Sequence, residues 1–163
     1  KDNTKKYHAF LAKSDDGVKW AKQADFDLPN ATEAALAFDG DTMLCLQRRD
    51  GTPNTAQLGR SEPPYTKWTW QYLGMYLGGP QLIRDGKGDW WAAGRLTTSG
   101  KPQTVLCKLD VKQGKLIPAL TLPSGGDTSY PGLVLHNGTL WMSYYSSHEG
   151  KSSIYLARIA IAP

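Results

Sequence analysis

The sequence has no apolar run approaching the roughly 18–20 residues of a membrane-spanning helix, and no leader pattern opens it. Lys1 reads as an interior starting point, so the missing leader leaves the compartment open. Cysteine is scarce. Cys45 and Cys107 are the only two in 163 residues, each inside an apolar stretch (LCL and LCK), and no metal-ligand spacing surrounds them. Two free buried thiols are the expected state, with a single disulfide as the alternative. Lys and Arg never run beyond pairs and spread along the chain to a formal charge of +4, which suits a solvated surface and argues against a nucleic-acid face. Helical periodicity is almost missing as well.

What the chain does have is aromatic and turn-forming residues. Six Trp, eight Tyr and three Phe, in a composition 40% apolar, exclude disorder. Seventeen Gly and ten Pro break the apolar residues into runs of four to seven, an all-β pattern. Strands are expected over 7–13 and 20–28, then 32–38, 42–48, 55–60 and 68–73. A further group covers 81–84, 90–96, 104–109 and 116–122, and a last one 133–135, 139–145 and 153–161. Asn137-Gly138 between apolar runs is a strong hairpin signal.

These groups repeat. Each centres on a turn, Asp39-Gly40, Asp85-Gly86 or Asn137-Gly138, and the period is about fifty residues with four strands per unit. Superposing LCLQR, WAAGR and WMSYY places Arg48, Arg95 and Tyr145 at one equivalent position. A β-propeller is therefore expected over a sandwich, which would not repeat the same hairpin. The blades are expected at 1–29 (partial), 30–76, 77–123 and 124–163 (partial). Because a propeller closes with four to eight blades, the remaining blades are expected from the same protein or from another copy. Antiparallel pairing brings Asp127, Tyr130, Tyr145 and His148 to one rim.

The turn SDDGVKW, from Ser14 to Trp20, resembles the Asp box of sialidase-like (BNR) propellers: Asp16 accepts backbone N–H bonds, Gly17 permits an unusual φ and Trp20 packs beneath. SEPPYTKW, from Ser61 to Trp68, is a degenerate copy that has lost the Asp and Gly. In that family the box staples the fold on the face opposite the active site. EAALAFDGDTMLCLQRRD, SYPGLVLHNGTLWMSYY and the GGDTSYPG…SSHEGKSSIYLARI ending are similar to later blades of bacterial sialidase-like proteins.

The resemblance implies the C-terminal portion of a six-bladed, secreted or periplasmic, retaining exo-glycosidase that needs neither metal nor cofactor. Tyr130 would be its nucleophile and Glu33 the base. Arg48 and Arg95 would bind the carboxylate of an anionic sugar such as a sialoside, through the bidentate fork that Lys cannot copy. Arg49, Tyr145, His148 and Asp127 complete the expected sugar-contacting rim. The family's acid/base Asp and first Arg have no counterpart here, so the isolated chain is expected to be inactive. Each residue also has a plainer reading. Tyr130 packs in the turn before Pro131, Glu33 partners an arginine, one of Arg48 and Arg49 is a surface charge, and His148 is structural. Two other functions stay open: a non-catalytic glycan-binding propeller, and a scaffold propeller that binds protein.

Overall fold

A computed structural model describes residues 7–52, 54–98 and 100–161. The outer limits of the first and last expected blades, at 1 and 163, lie outside them. The described residues contain no helix. Thirteen strands form four antiparallel sheets in chain order. β1 (Phe10–Lys13) pairs with β2 (Ala21–Asp25). The second sheet holds β3 (Ala31–Asp39), β4 (Thr42–Arg49), β5 (Thr55–Ser61) and β6 (Thr69–Tyr72). The third holds β7 (Gly78–Arg84), β8 (Trp90–Thr98), β9 (Lys101–Asp110) and β10 (Lys115–Thr121). β11 (Thr128–His136), β12 (Thr139–Ser146) and β13 (Ser153–Ala160) form the last.

Strands run in sequence order within every sheet, and the first strands meet one another, β7 lying against both β3 and β11. The sheets therefore fan out from an axis lined by β3, β7 and β11. This is the blade arrangement of a β-propeller.

The core lies between blades, which explains the two kinds of apolar pattern. β4 and β9 carry consecutive buried residues (Leu44-Cys45-Leu46 and Val105-Leu106-Cys107) because a blade covers each of their faces. β12 alternates strictly, with Leu140, Met142 and Tyr144 inward, because only one face is covered. One apolar cluster joins the second sheet to the third, another the third to the last, and a smaller one holds β1 and β2 against the second. Cys45 and Cys107 are free, and burial pushes both thiols up to about 12.

Strand starts differ from expectation where Gly and Pro were read as punctuation. β7 begins at Gly78 instead of 81, and β11 at Thr128 instead of 133. Gly78-Gly79-Pro80 and Tyr130-Pro131-Gly132 form β-bulges within strands, where Pro sits without breaking the ladder. β1 starts at Phe10, later than expected. The 14–19 turn has the expected bonds: Asp16 Oδ1 accepts Val18 and Lys19 N–H at 2.8 and 2.7 Å, and Ser14 Oγ accepts Gly17 N–H at 2.8 Å. Trp20 does not pack beneath it. Its residue is 65% exposed, because β1 and β2 form only a two-stranded sheet.

Candidate functional site

All three axial strands carry a bulge near their N-terminal end. Ala31 pairs with Arg49 and Ala34 with Gln47, leaving Thr32 and Glu33 opposite Arg48 alone. Gly79-Pro80 and Tyr130-Pro131 occupy the same place in β7 and β11. A bulge bends the strand and re-aims its side chains, and here three neighbouring bulges converge at one end of the axis.

Tyr130 adopts φ 49°, a left-handed conformation that costs a bulky residue about 1–2 kcal/mol. It directs the phenol across the axis, where its hydroxyl donates a short hydrogen bond to Glu33 Oε1. Glu33 Oε2 accepts from Arg48 Nη1 and from Gly79 N–H, each at 2.8 Å. Burial raises the Glu33 carboxyl, but the bonds from Tyr130, Arg48 and Gly79 outweigh it and hold the group below its ordinary value. The Tyr130 phenol is pushed up chiefly because its proton is held in the hydrogen bond to Glu33, with burial and the like charge of that carboxylate adding to it.

Arg48 is committed elsewhere. Its Nε and Nη2 grip Asp50 Oδ1 and Oδ2 at 2.9 and 3.1 Å, and its Cζ lies 5.4 Å from the centre of the Tyr76 ring. Burial works against the charge, yet Asp50 and Glu33 hold the guanidinium's pKa up. The Arg48 fork, expected to meet a sugar carboxylate, is here closed on Asp50, and its side chain is only 18% exposed.

Arg95 is different. Nη1 donates to Asp127 Oδ1 at 3.1 Å, while Nε and Nη2 have no partner among the described residues. Burial, together with the nearby Asp127 carboxylate, pushes the Tyr145 phenol up to about 12. The Tyr145 and Tyr130 rings stack 6.1 Å apart at 22°. Arg49 Nε donates to the Pro29 carbonyl at 2.8 Å, which turns it toward the loop before β3.

Strand pairing corrects the expected equivalence. Arg49, Arg95 and Tyr145 occupy matching positions, opposite Ala31, Gly78 and Ser129. The superposition with Arg48 is one residue out, because β4 runs further from its hairpin to its bulge than β8 does. His148 Nδ1 lies 3.0 Å from Ser146 Oγ, and its ring packs 4.4 Å from that of Tyr155 on the last blade.

Sequence reasoning missed Asp50, Tyr76, Gly79 and Gln47. Gln47 is fully buried, and its Nε2 donates to the carbonyls of Glu33 and Arg48, clamping both sides of the first bulge. An Asp two residues after an Arg, and a Gly-Gly-Pro run at a strand start, were the available signals for Asp50 and Gly79. No group of three or more His, Cys, Asp or Glu side chains poised for a metal occurs among the described residues.

No family model matches this sequence, and no curated protein matches it. Solved structures do. The chain resembles a GH43B protein of a Bacteroides ovatus xyloglucan locus at TM-score 0.68 and 14% identity, over 93% of this chain and 34% of that one. It resembles the α-L-arabinofuranosidase Arb93A of Fusarium graminearum at TM-score 0.64 and 15% identity, over 80% and 45%. An endo-1,4-β-xylanase of Bacteroides thetaiotaomicron gives TM-score 0.64 and 13% identity, over 99% and 68%. The chain thus spans less than half the length of the first two. At these identities the likeness establishes the fold, that of propeller glycoside hydrolases.

Proposed function

We propose that this chain supplies the Tyr–Glu half of the active site of a retaining exo-glycosidase. The observation that carries the reading is the Tyr130 hydroxyl hydrogen-bonded to Glu33 at the axial mouth. Tyr130 Oη bonds to the anomeric carbon as the glycosidic C–O bond breaks and Glu33 Oε1 takes the phenolic proton. The aglycone oxygen leaves with a proton from an acid/base carboxylate on another blade. Water then cleaves the glycosyl–tyrosine bond while Glu33 returns the proton to the phenol. A phenol and a carboxyl differ by about 6 units of ordinary pKa, or about 8 kcal/mol, so the phenolate is not a populated base-side product. Proton transfer and attack go together. Arg48 and Gly79 N–H hold Glu33 in place on its other oxygen.

In its full form the reading is sialidase-like: a six-bladed, secreted or periplasmic propeller whose acid/base carboxylate and further arginine come from other blades. The sugar is then a terminal anionic residue held by Arg95. The names of the similar structures suggest a second sugar class, neutral arabinosides and xylosides, and the closed fork of Arg48 favours it. A non-catalytic glycan-binding role also has support, since the exposed Tyr130 ring, stacked on the half-buried Tyr145, offers a face to a sugar.

The test is hydrolysis of an aryl glycoside panel by the full-length protein. Tyr130→Phe is expected to abolish turnover while leaving the fold and binding intact. Glu33→Gln is expected to slow it by about 10²–10⁴-fold, the usual worth of general-base assistance. A fluorinated glycoside should trap a glycosyl adduct on the Tyr130 peptide, read by mass. Turnover that survives Tyr130→Phe would remove the mechanism. Binding without turnover would transfer the site to glycan recognition.

A further inference from the structure

Resting on the Tyr–Glu glycosidase reading above, in its neutral-sugar form and against its anionic one, we infer that Asp127 is a specificity-determining residue that turns this site toward neutral sugars and away from sugars carrying a carboxylate. The argument starts from where the positive charge is spent. Arg48 meets two carboxylates, Asp50 through both ends of its fork and Glu33 through Nη1. Its remaining surface lies against Tyr76. Arg95 keeps unpaired donors, but one terminal nitrogen is already bonded to Asp127. An incoming carboxylate must therefore share Arg95 with an existing carboxylate.

Asp127 is placed to be felt. Its side chain is 67% exposed while that of Arg95 is 25% exposed, so the carboxylate is the more accessible member of the pair. Arg95 holds it by an ion pair, and Tyr145, beside it, stacks on Tyr130, the residue proposed to attack. A sugar seated over Tyr130 is thus bordered by a fixed anion. Hydroxyl groups of a neutral sugar donate to such an anion in charge-assisted hydrogen bonds, roughly twice as strong as neutral ones. A sugar carboxylate cannot donate, and it meets like charge a few ångströms away.

The measurement is binding to the full-length protein of four probes: aryl arabinofuranoside, aryl xyloside, aryl glucuronide and aryl sialoside. Wild type is expected to bind its better neutral probe at least about tenfold tighter than either anionic one, a difference of about 1.4 kcal/mol. Asp127→Asn, near-isosteric, is expected to weaken neutral binding about fivefold and to strengthen anionic binding about tenfold. The anionic gain should vanish when Arg95→Gln is added, because the freed guanidinium is what captures the carboxylate.

Thermal melting checks that the variants fold. If Asp127→Asn does not, Asp127→Ser removes the same charge and reads the same ratio. A wild type that prefers an anionic probe, or a ratio unmoved by neutralising Asp127, overturns this inference alone. No binding to any probe removes the glycosidase reading, and this inference with it.

Discussion

Gly79 shows how a residue without a side chain sets the site. Its N–H donates to Glu33 Oε2, and its φ is 54°, which other residues adopt only under strain. A Cβ there would lie 2.6 Å from Ser129 Oγ and 3.0 Å from Tyr130 Cδ1. Gly79→Ala is therefore expected to cost about 2 kcal/mol or more, from backbone strain and from overpacking against Tyr130. Denaturant unfolding checks the stability, and titration of the Tyr130 phenol by ultraviolet absorbance checks the geometry. An unchanged midpoint would mean that the bulge yields freely and does not position Glu33. Tyr130 and Glu33 were singled out through the family resemblance, in which a Tyr and a Glu open inner strands, and the structure brings their side chains into hydrogen-bond contact. Asp50, Tyr76 and Gly79 were not, since their roles depend on what lies across a bulge. A one-residue difference in bulge position decided between Arg48 and Arg49, and no string alignment carries that information.

At the scale of elements, hairpins read well and bulges read badly. Asn137-Gly138 closes β11 onto β12 with both residues at positive φ, as an apolar–Asn-Gly–apolar pattern promises. Gly and Pro mark bulges as readily as loops, so the starts of β7 and β11 were hidden. The turn between β1 and β2 makes a separate prediction. The N–H groups of Lys19 and Val18 and the Ser14 hydroxyl stabilise the ionised Asp16 carboxyl and lower its pKa. A depressed folded value means that the stabilisation is present above the unfolded value of about 3.9 and is lost as pH falls through the folded one. Asp16→Ala should therefore lower the melting temperature at pH 7 and flatten the loss of stability on acidification below about pH 4. Melting curves of both proteins from pH 7 to pH 3 decide it. Coincident curves would mean that the turn contributes nothing to the fold, whatever its hydrogen bonds.

The arrangement of whole blades leaves two apolar faces uncovered among the described residues. Val134, Leu156 and Ile154 share the outer face of the last sheet, the last of them 78% exposed, and Trp141 lies in the same row as Val134. At the other end Phe10 on β1 and Leu36 and Phe38 on β3 are also exposed. Middle blades bury such residues against a neighbour, as Leu44 and Leu106 are buried here. Burying one Leu or Ile is worth about 1.5–3 kcal/mol, so several per face outweigh the modest cost of weak association. The chain on its own is therefore expected to self-associate at micromolar concentration through these faces. β13 adds an edge with no strand beyond it among the described residues, an invitation to further pairing. Replacing Ile154 and Leu156 together with Lys puts charge on the exposed face without touching the core between the third and last sheets. Sedimentation should show the double variant shifting toward monomer with its unfolding transition preserved. A wild-type chain that already sediments as a compact monomer and unfolds cooperatively would mean that these faces do not drive association.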